Sequence, residues 1–285
     1  MSEFSGKFVK VSEASPHVFL VELNRKPLNA FSKEFWVEYG EIFDKINLKS
    51  HDVRAIVISS ANPKIFTAGI DFQSFAEIEN FGSEQARRAY HSREYILAFQ
   101  NAINAPGRCP FPVIAAVHGP AIGLGVDIIS ACDVRYASSD ATFSIKEVNF
   151  GLAADIGTLA YLPKITSNDS LARELAYTAQ TFSAAEAAKL GLVSKVVDGG
   201  REGVVKSALD LARLIATKSP IAIASTKQLL NHSRDHSVSA NLEYTSIWNG
   251  AMIHTADLKQ AAIAQATKSK ESPSFQPLRK VQGKL

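Results

Sequence analysis

The sequence predicts an α/β protein that finishes in a run of helices, and three observations carry that reading. Short β-branched runs such as VRAIVI and PVIAAVH alternate with longer segments of helical periodicity. Two junctions, FTAGID at 66–71 and AIGLGVD at 121–127, each follow a buried strand and hold glycine where the backbone must turn sharply. From Glu202 onward almost every segment reads as helix, broken at Pro220 and followed by a polar tail after Ala266. This change of class near residue 200 divides the chain into a core of residues 1–200 and a helical region of 201–285.

Taken in order, HVFLVEL (17–23) reads as a strand and RKPLNAFS as a loop. Ser32 is placed to cap an amphipathic helix running to about Ile46. Val53 to Ile58 is the next strand, and NPKIFTAGIDFQSF is a turn-rich loop centred on Gly69. A helix is expected from about Ser83 to Ile103, ended by Pro106, Gly107, Pro110 and Pro112 before a strand at Val113 to His118. Beyond the second glycine turn a helix covers Val126 to Ala131, with short strands at Val134 to Tyr136 and Thr142 to Ile145. Further helices are expected near Asp155, at Ser170 to Thr178, and at Ser183 to Leu190, the last closed by Gly191.

Composition narrows the possible functions. Hydrophobic residues make up 46% and charged residues 21%, a globular profile rather than a disordered one. Basic and acidic residues nearly balance, 31 against 28, with no charge run suited to a nucleic-acid arm. Cys109 and Cys132 give neither a disulfide framework nor a zinc spacing, so no metal site is expected. No apolar run reaches the ~20 residues that span a bilayer. The chain ends in Gly283-Lys284-Leu285, a weak form of the Ser-Lys-Leu peroxisomal address, with mitochondrial or cytoplasmic residence as the alternative.

Three acids stand in apolar surroundings: Asp127 in GLGVDIIS, Glu147 in SIKEVNF and Asp155 in GLAADIGTLA. Each also has a plain structural explanation. Asp127 suits the first turn of a helix, Glu147 a solvated loop, and Asp155 an N-cap for IGTLAYL. If the three share one dry pocket they cannot all ionise, and repulsion with desolvation leaves an acid beside a base. The glycine turns add outward-facing N–H groups able to hold one anionic oxygen. Moving a proton beside a carbonyl needs this combination. GLGVDI is neither a Walker loop nor a dinucleotide fingerprint, and His118 reads as a core histidine.

Several ordered segments resemble the enoyl-CoA hydratase/isomerase (crotonase) superfamily: VRAIVISS, IFTAGIDF, CPFPVIAAVHGPAIGLGVDIISACDVRYAS, FSIKEVNFGLAADIGTLAYLPKI and TFSAAEAAKLGLVSKVV. Within it, Asp127 and Asp155 together resemble the pattern of the Δ3,5-Δ2,4-dienoyl-CoA isomerases, since hydratases of the family carry glutamate and glycine at those places. The resemblance implies a fold of repeated ββα units with a helical C-terminal region that builds homotrimers or homohexamers. Trp248, Met252 and Ile253 fit such an interface or an internal core equally well. It implies an acyl-CoA thioester as substrate, with coenzyme A as part of that substrate and no separate cofactor. The backbone N–H groups of Ala68 and Leu124 would form the oxyanion hole. Glu147 would take a proton from C2, Asp155 would return one at C6, and Asp127 would tune Glu147. Thr67, Ala68, Gly69, Ile70, Asp71 and Leu124 would contact the substrate, with Arg25 and Lys26 as candidates for the CoA phosphates. Leu124 stands where relatives usually carry glycine, which leaves its N–H intact and adds a bulky side chain. A hydratase using Asp127 and Glu147, or a non-catalytic binder of RNA or protein on the same fold, are the alternative readings.

Overall fold

The computed structural model describes residues 3–48, 51–71, 73, 84–268 and 273–278. The chain begins with strand β1 (Val9–Ser15), paired antiparallel with β2 (Val18–Leu23). Helix α1 (Lys33–Leu48) then leads to β3 (Ala55–Ser60). Helices α2 (Gln85–Ile103) and α3 (Ala105–Arg108) precede β4 (Val113–Val117), β5 (Pro120–Ile122) and helix α4 (Leu124–Ser130). After β6 (Val134–Ser138) and β7 (Thr142–Ser144) come a 3₁₀ turn (Glu147–Phe150), α5 (Thr158–Ile165) and α6 (Asp169–Thr178). Strand β8 (Phe182–Ser183), α7 (Ala184–Leu190) and β9 (Lys195–Val197) complete the mixed part. Four helices follow: α8 (Gly200–Ala216), α9 (Pro220–Ser233), α10 (Val238–Met252) and α11 (Ala256–Ala266).

The strands form a six-stranded sheet in the order β1-β2-β3-β4-β6-β9 and a three-stranded sheet β5-β7-β8. From β2 to β9 the larger sheet is parallel. Its central strands are buried on both faces, which is why they read as unbroken apolar runs. Side chains alternate with the strand period. Ile56, Ile58, Val113, Ala115 and Val117 join the core under α1, α2 and α4, whereas Ala55, Val57, Ile114 and Ala116 meet α8. Helix α8 covers that second face with Val204, Ala208, Ala212 and Ala216, a stripe at helical spacing. The helical run past residue 200 therefore starts as a layer on the main sheet.

Several boundaries differ from those expected. Strands β1, β5, β8 and β9 were not foreseen, and the helix expected near Asp155 starts at Thr158, with Gly157 at its N-cap. Asp155 therefore does not cap it. Ser183 and Glu186 make a reciprocal capping box on α7, and Gly191 ends that helix in the left-handed region. Asp133 is structural, accepting from Val113 N–H at 2.8 Å and from the Lys227 ammonium at 2.7 Å. Met252 and Ile253 are 36% and 56% exposed, and α10 buries no residue, so the internal-core reading of these side chains does not hold. The Gly283-Lys284-Leu285 ending lies outside the described residues.

Candidate active site

The two glycine turns meet. Phe66 N–H donates to Pro120 at 3.0 Å and Ile122 N–H to Thr67 at 3.1 Å, which ties the first turn to β5. Gly69 packs so closely that a Cβ there would lie 2.8 Å from the Ile122 carbonyl, so no larger residue fits without backbone movement. Asn29 braces the turn from beneath. Its amide donates to Ser60 Oγ at 2.7 Å and to the Phe66 carbonyl at 3.0 Å, and its own carbonyl accepts from the Thr67 hydroxyl at 2.6 Å.

Leu124 opens α4, and its N–H is one of the donors that a helix start leaves unpaired. Ala68 N–H lies on the neighbouring turn but donates to the Leu28 carbonyl at 3.0 Å. Of the two donors expected from sequence, one is therefore engaged within the chain.

The three acids come together. Asp127, Glu147 and Asp155 line a single cavity of about 440 Å³, with Ile70 and Leu124 beside them. Helix α4 carries Asp127, the 3₁₀ turn after β7 carries Glu147, and the irregular segment before α5 carries Asp155. Their exposure is graded: Asp127 is sealed at 2%, Glu147 is half-buried, and Asp155 is exposed.

Asp127 Oδ1 accepts from Thr158 N–H at 2.6 Å. Burial, opposed by hydrogen bonds from Thr158 and Gly157 and reinforced by the charge of Asp155, pushes its carboxyl up to about 6. Burial and then the charge of Asp127 push Glu147 up to about 7. Glu147 Oε2 is buried with no hydrogen-bond partner. Desolvation also raises Asp155, which lines the cavity although much of its surface is open. Among the described residues none of the three is ion-paired, and burial raises all three pKa values, with like charges adding to it at Asp127 and Glu147.

Thr67, Ala68, Gly69 and Asp71 stand outside the cavity lining. Thr67 is fully buried and holds the turn through its hydroxyl. Asp71 pairs with Arg25 at 2.7 Å, and Arg25 also donates to the Ala30 carbonyl, so Arg25 is tied into the turn rather than free at the surface. Sequence reasoning missed Tyr95, Ile96 and Phe99, which form the apolar wall from α2, and Leu152 and Ile156 opposite. It also missed Gln100, whose Nε2 holds the Asp155 carbonyl at 2.6 Å. Helical periodicity marked α2 but carried no signal of which face meets the acids.

This geometry has clear relatives. The model of the enoyl-CoA hydratase/isomerase family matches residues 13–276. The human mitochondrial Δ(3,5)-Δ(2,4)-dienoyl-CoA isomerase is 47% identical over 272 residues, 94% of this chain and 82% of that protein. The peroxisomal Δ(3,5)-Δ(2,4)-dienoyl-CoA isomerase of Arabidopsis thaliana is 43% identical, across 92% of this chain and 93% of that one. The crystal structure of an enoyl-CoA hydratase from Bacillus anthracis superposes with a TM-score of 0.82 at 28% identity, covering 94% of this chain and 99% of the other. The chain belongs to the enoyl-CoA hydratase/isomerase family.

Proposed function

We propose that this protein is a Δ3,5-Δ2,4-dienoyl-CoA isomerase, which moves two conjugated double bonds of an acyl-CoA during breakdown of unsaturated fatty acids. The observation that carries the reading is the sharing of one apolar cavity by three carboxyls, none of them ion-paired among the described residues. A single carboxylate suffices to remove a proton, whereas returning one farther along the chain needs a second group that is still protonated. The raised pKa values of the cluster support its keeping a proton near neutral pH, as that division requires.

In this mechanism the thioester oxygen takes the Leu124 N–H, and Ala68 N–H turns to it from the Leu28 carbonyl. Each such donor contributes ~3–4 kcal/mol to the enolate-like transition state. Ionised Glu147 removes a proton from C2, electrons spread along the diene as a dienolate, and protonated Asp155 delivers a proton to C6. The charge of Asp127 keeps Glu147 a stronger base than an isolated glutamate. Ile70, Leu152 and the α2 aromatic wall hold the acyl chain flat between the two acids. Coenzyme A enters as part of the substrate, and no other cofactor takes part.

The exposed apolar side chains of α10, Leu242 and Ile247 among them, support assembly as a homotrimer or homohexamer, which light scattering on purified protein decides. Related isomerases carry both mitochondrial and peroxisomal names. A fluorescent fusion with and without Gly283-Lys284-Leu285 tests whether those residues direct the protein to the peroxisome.

The test of the activity is absorbance of the conjugated 2,4-dienoyl thioester formed from 3,5-octadienoyl-CoA, with a 2-enoyl-CoA run in parallel. Appearance of the chromophore, abolished in Asp155→Asn, is the expected result. Hydration of the enoyl-CoA with no reaction of the diene would replace the isomerase with a hydratase.

A further inference from the structure

Asp155 stands on a wall with two sides. One side faces the apolar cavity of about 440 Å³ that holds Asp127 and Glu147. The other faces a second cavity of about 890 Å³, bounded by the ends of α2 and α9 and by α5, whose lining includes Asn104, Tyr161, Lys164 and Arg234. Ala153, Asp155 and Ile156 belong to both. Asp155 is the only one of the three acids that reaches the second cavity.

The second cavity has a mixed polar and apolar lining, and one of its buried polar atoms lacks a partner among the described residues. Asn104 Oδ1 is buried without a hydrogen-bond donor, while its Nδ2 donates to the Gln100 carbonyl at 2.8 Å. Gln100 in turn anchors the Asp155 carbonyl. A buried acceptor beside a roomy cavity that also carries polar side chains is where ordered water binds. Water at Asn104 would stand on the same wall as Asp155.

The isomerisation creates a need for such water. Each turnover breaks a C2–H bond and forms a C6–H bond, leaving Glu147 protonated and Asp155 ionised. The enzyme is reset only when Glu147 gives up its proton and Asp155 gains one. Asp127 is poorly suited to carry a proton between them, because its Oδ1 is fixed by Thr158 and the side chain is sealed. We propose that the second cavity is the proton inlet of Asp155: water there protonates Asp155 between turnovers, while Glu147 releases its proton to solvent as product leaves. The proton placed at C6 is then a solvent proton, not the one taken from C2. This rests on the isomerase reading above.

The experiment uses 3,5-octadienoyl-CoA carrying deuterium at both C2 positions, turned over many times by the full-length enzyme in ordinary water. The position of the label in the product is read by NMR. Protium at C6 is expected throughout, and deuterium accumulating at C6 overturns the inlet. A second arm narrows the cavity with Ala160→Trp, a lining position on α5 away from the acids. Turnover is expected to fall about tenfold, with deuterium now appearing at C6 as the internal route takes over. Unchanged rate and label distribution in that variant, with a normal circular-dichroism melt, would also overturn the proposal. Failure of the parent enzyme to convert the diene at all is a separate result, which removes the isomerase reading itself.

Discussion

Asp127 and Asp133 lie at the two ends of α4, and the fold treats them in opposite ways. Past the C-terminal end, Asp133 meets the Lys227 ammonium, which is itself buried and also bonded to the carbonyls of Pro106 at 2.9 Å and Phe111 at 3.1 Å. At the N-terminal end, Asp127 is sealed with no ion pair among the described residues, and it shares its cavity with two more acids. One end of the helix shows that this chain can pair a half-buried carboxylate with a buried ammonium. The other end withholds that pairing, and the withheld energy appears as raised pKa values. Charges that the fold satisfies serve stability, and those it leaves unsatisfied serve chemistry.

The strongest way to break this contrast is Glu147→Gln. In the folded chain Glu147 titrates near 7 against 4.5 for an ordinary glutamate. The folded state thus holds an extra proton between those values. The stability that this proton contributes is complete below about pH 4.5 and lost as pH rises through about 7. The loss is on the order of 3 kcal/mol at most. Glutamine carries no such pH-dependent penalty. The variant should lose roughly 10³-fold or more in turnover. It should also resist urea better than the parent at pH 8 and no better at pH 4. Lower stability at both pH values would make Glu147 a structural residue.

The converse change is Lys227→Met. It strands Asp133 beside apolar groups and should cost about 3 kcal/mol of stability, as the breaking of buried ion pairs does. Turnover per folded molecule should stay near that of the parent, read by titrating active sites before and after a urea melt. A large drop in turnover with stability intact would tie Lys227 to the chemistry and erase the contrast.

Asp127→Asn sharpens it further. Catalysis needs Glu147 ionised, so activity should fall on the acid side as Glu147 takes up a proton near pH 7. Asp127 is the largest charge contribution raising Glu147. Its removal should lower that pKa and move the acid limb of kcat/KM to lower pH. The amide oxygen can still accept from Thr158, so the fold should be unaffected. An unmoved limb would mean that Asp127 is only a helix-end acid.

How much of this was legible in sequence follows from the same physics. Buried parallel strands β3 and β4 and both glycine turns announce themselves, because unbroken β-branched runs and obligatory turns are local features. Strands β5, β8 and β9 have three residues or fewer and offer little alternation to read, while the seven-residue β1 is obscured by its polar Lys10, Ser12, Glu13 and Ser15. The three short strands exist because the chain around them is already placed. Asp155 offered two local readings, and spacing could not choose between them. The choice was made by Gly157 taking the N-cap and by Gln100 of α2 holding the Asp155 backbone, a contact between distant parts of the chain. The apolar wall of Tyr95 and Phe99 was hidden for the same reason: a helix face acquires its function from what it faces.

The smallest expected effect comes from Gly123, which precedes the Leu124 donor. Its backbone lies at φ +51° and ψ −113°, a conformation that disfavours any side chain. A Cβ there would stand 3.1 Å from Glu147 Oε1, tight enough that the carboxylate must give way by a few tenths of an ångström. Gly123→Ala should therefore cost about 1–2 kcal/mol of stability from backbone strain. It should also lower kcat about tenfold while leaving KM little changed, because the base shifts relative to C2 although the acyl chain still binds. Strain alone would lower stability without moving kcat. If only stability changes, the approach of Gly123 to Glu147 has no part in aiming the base, and the turn serves the Leu124 N–H alone.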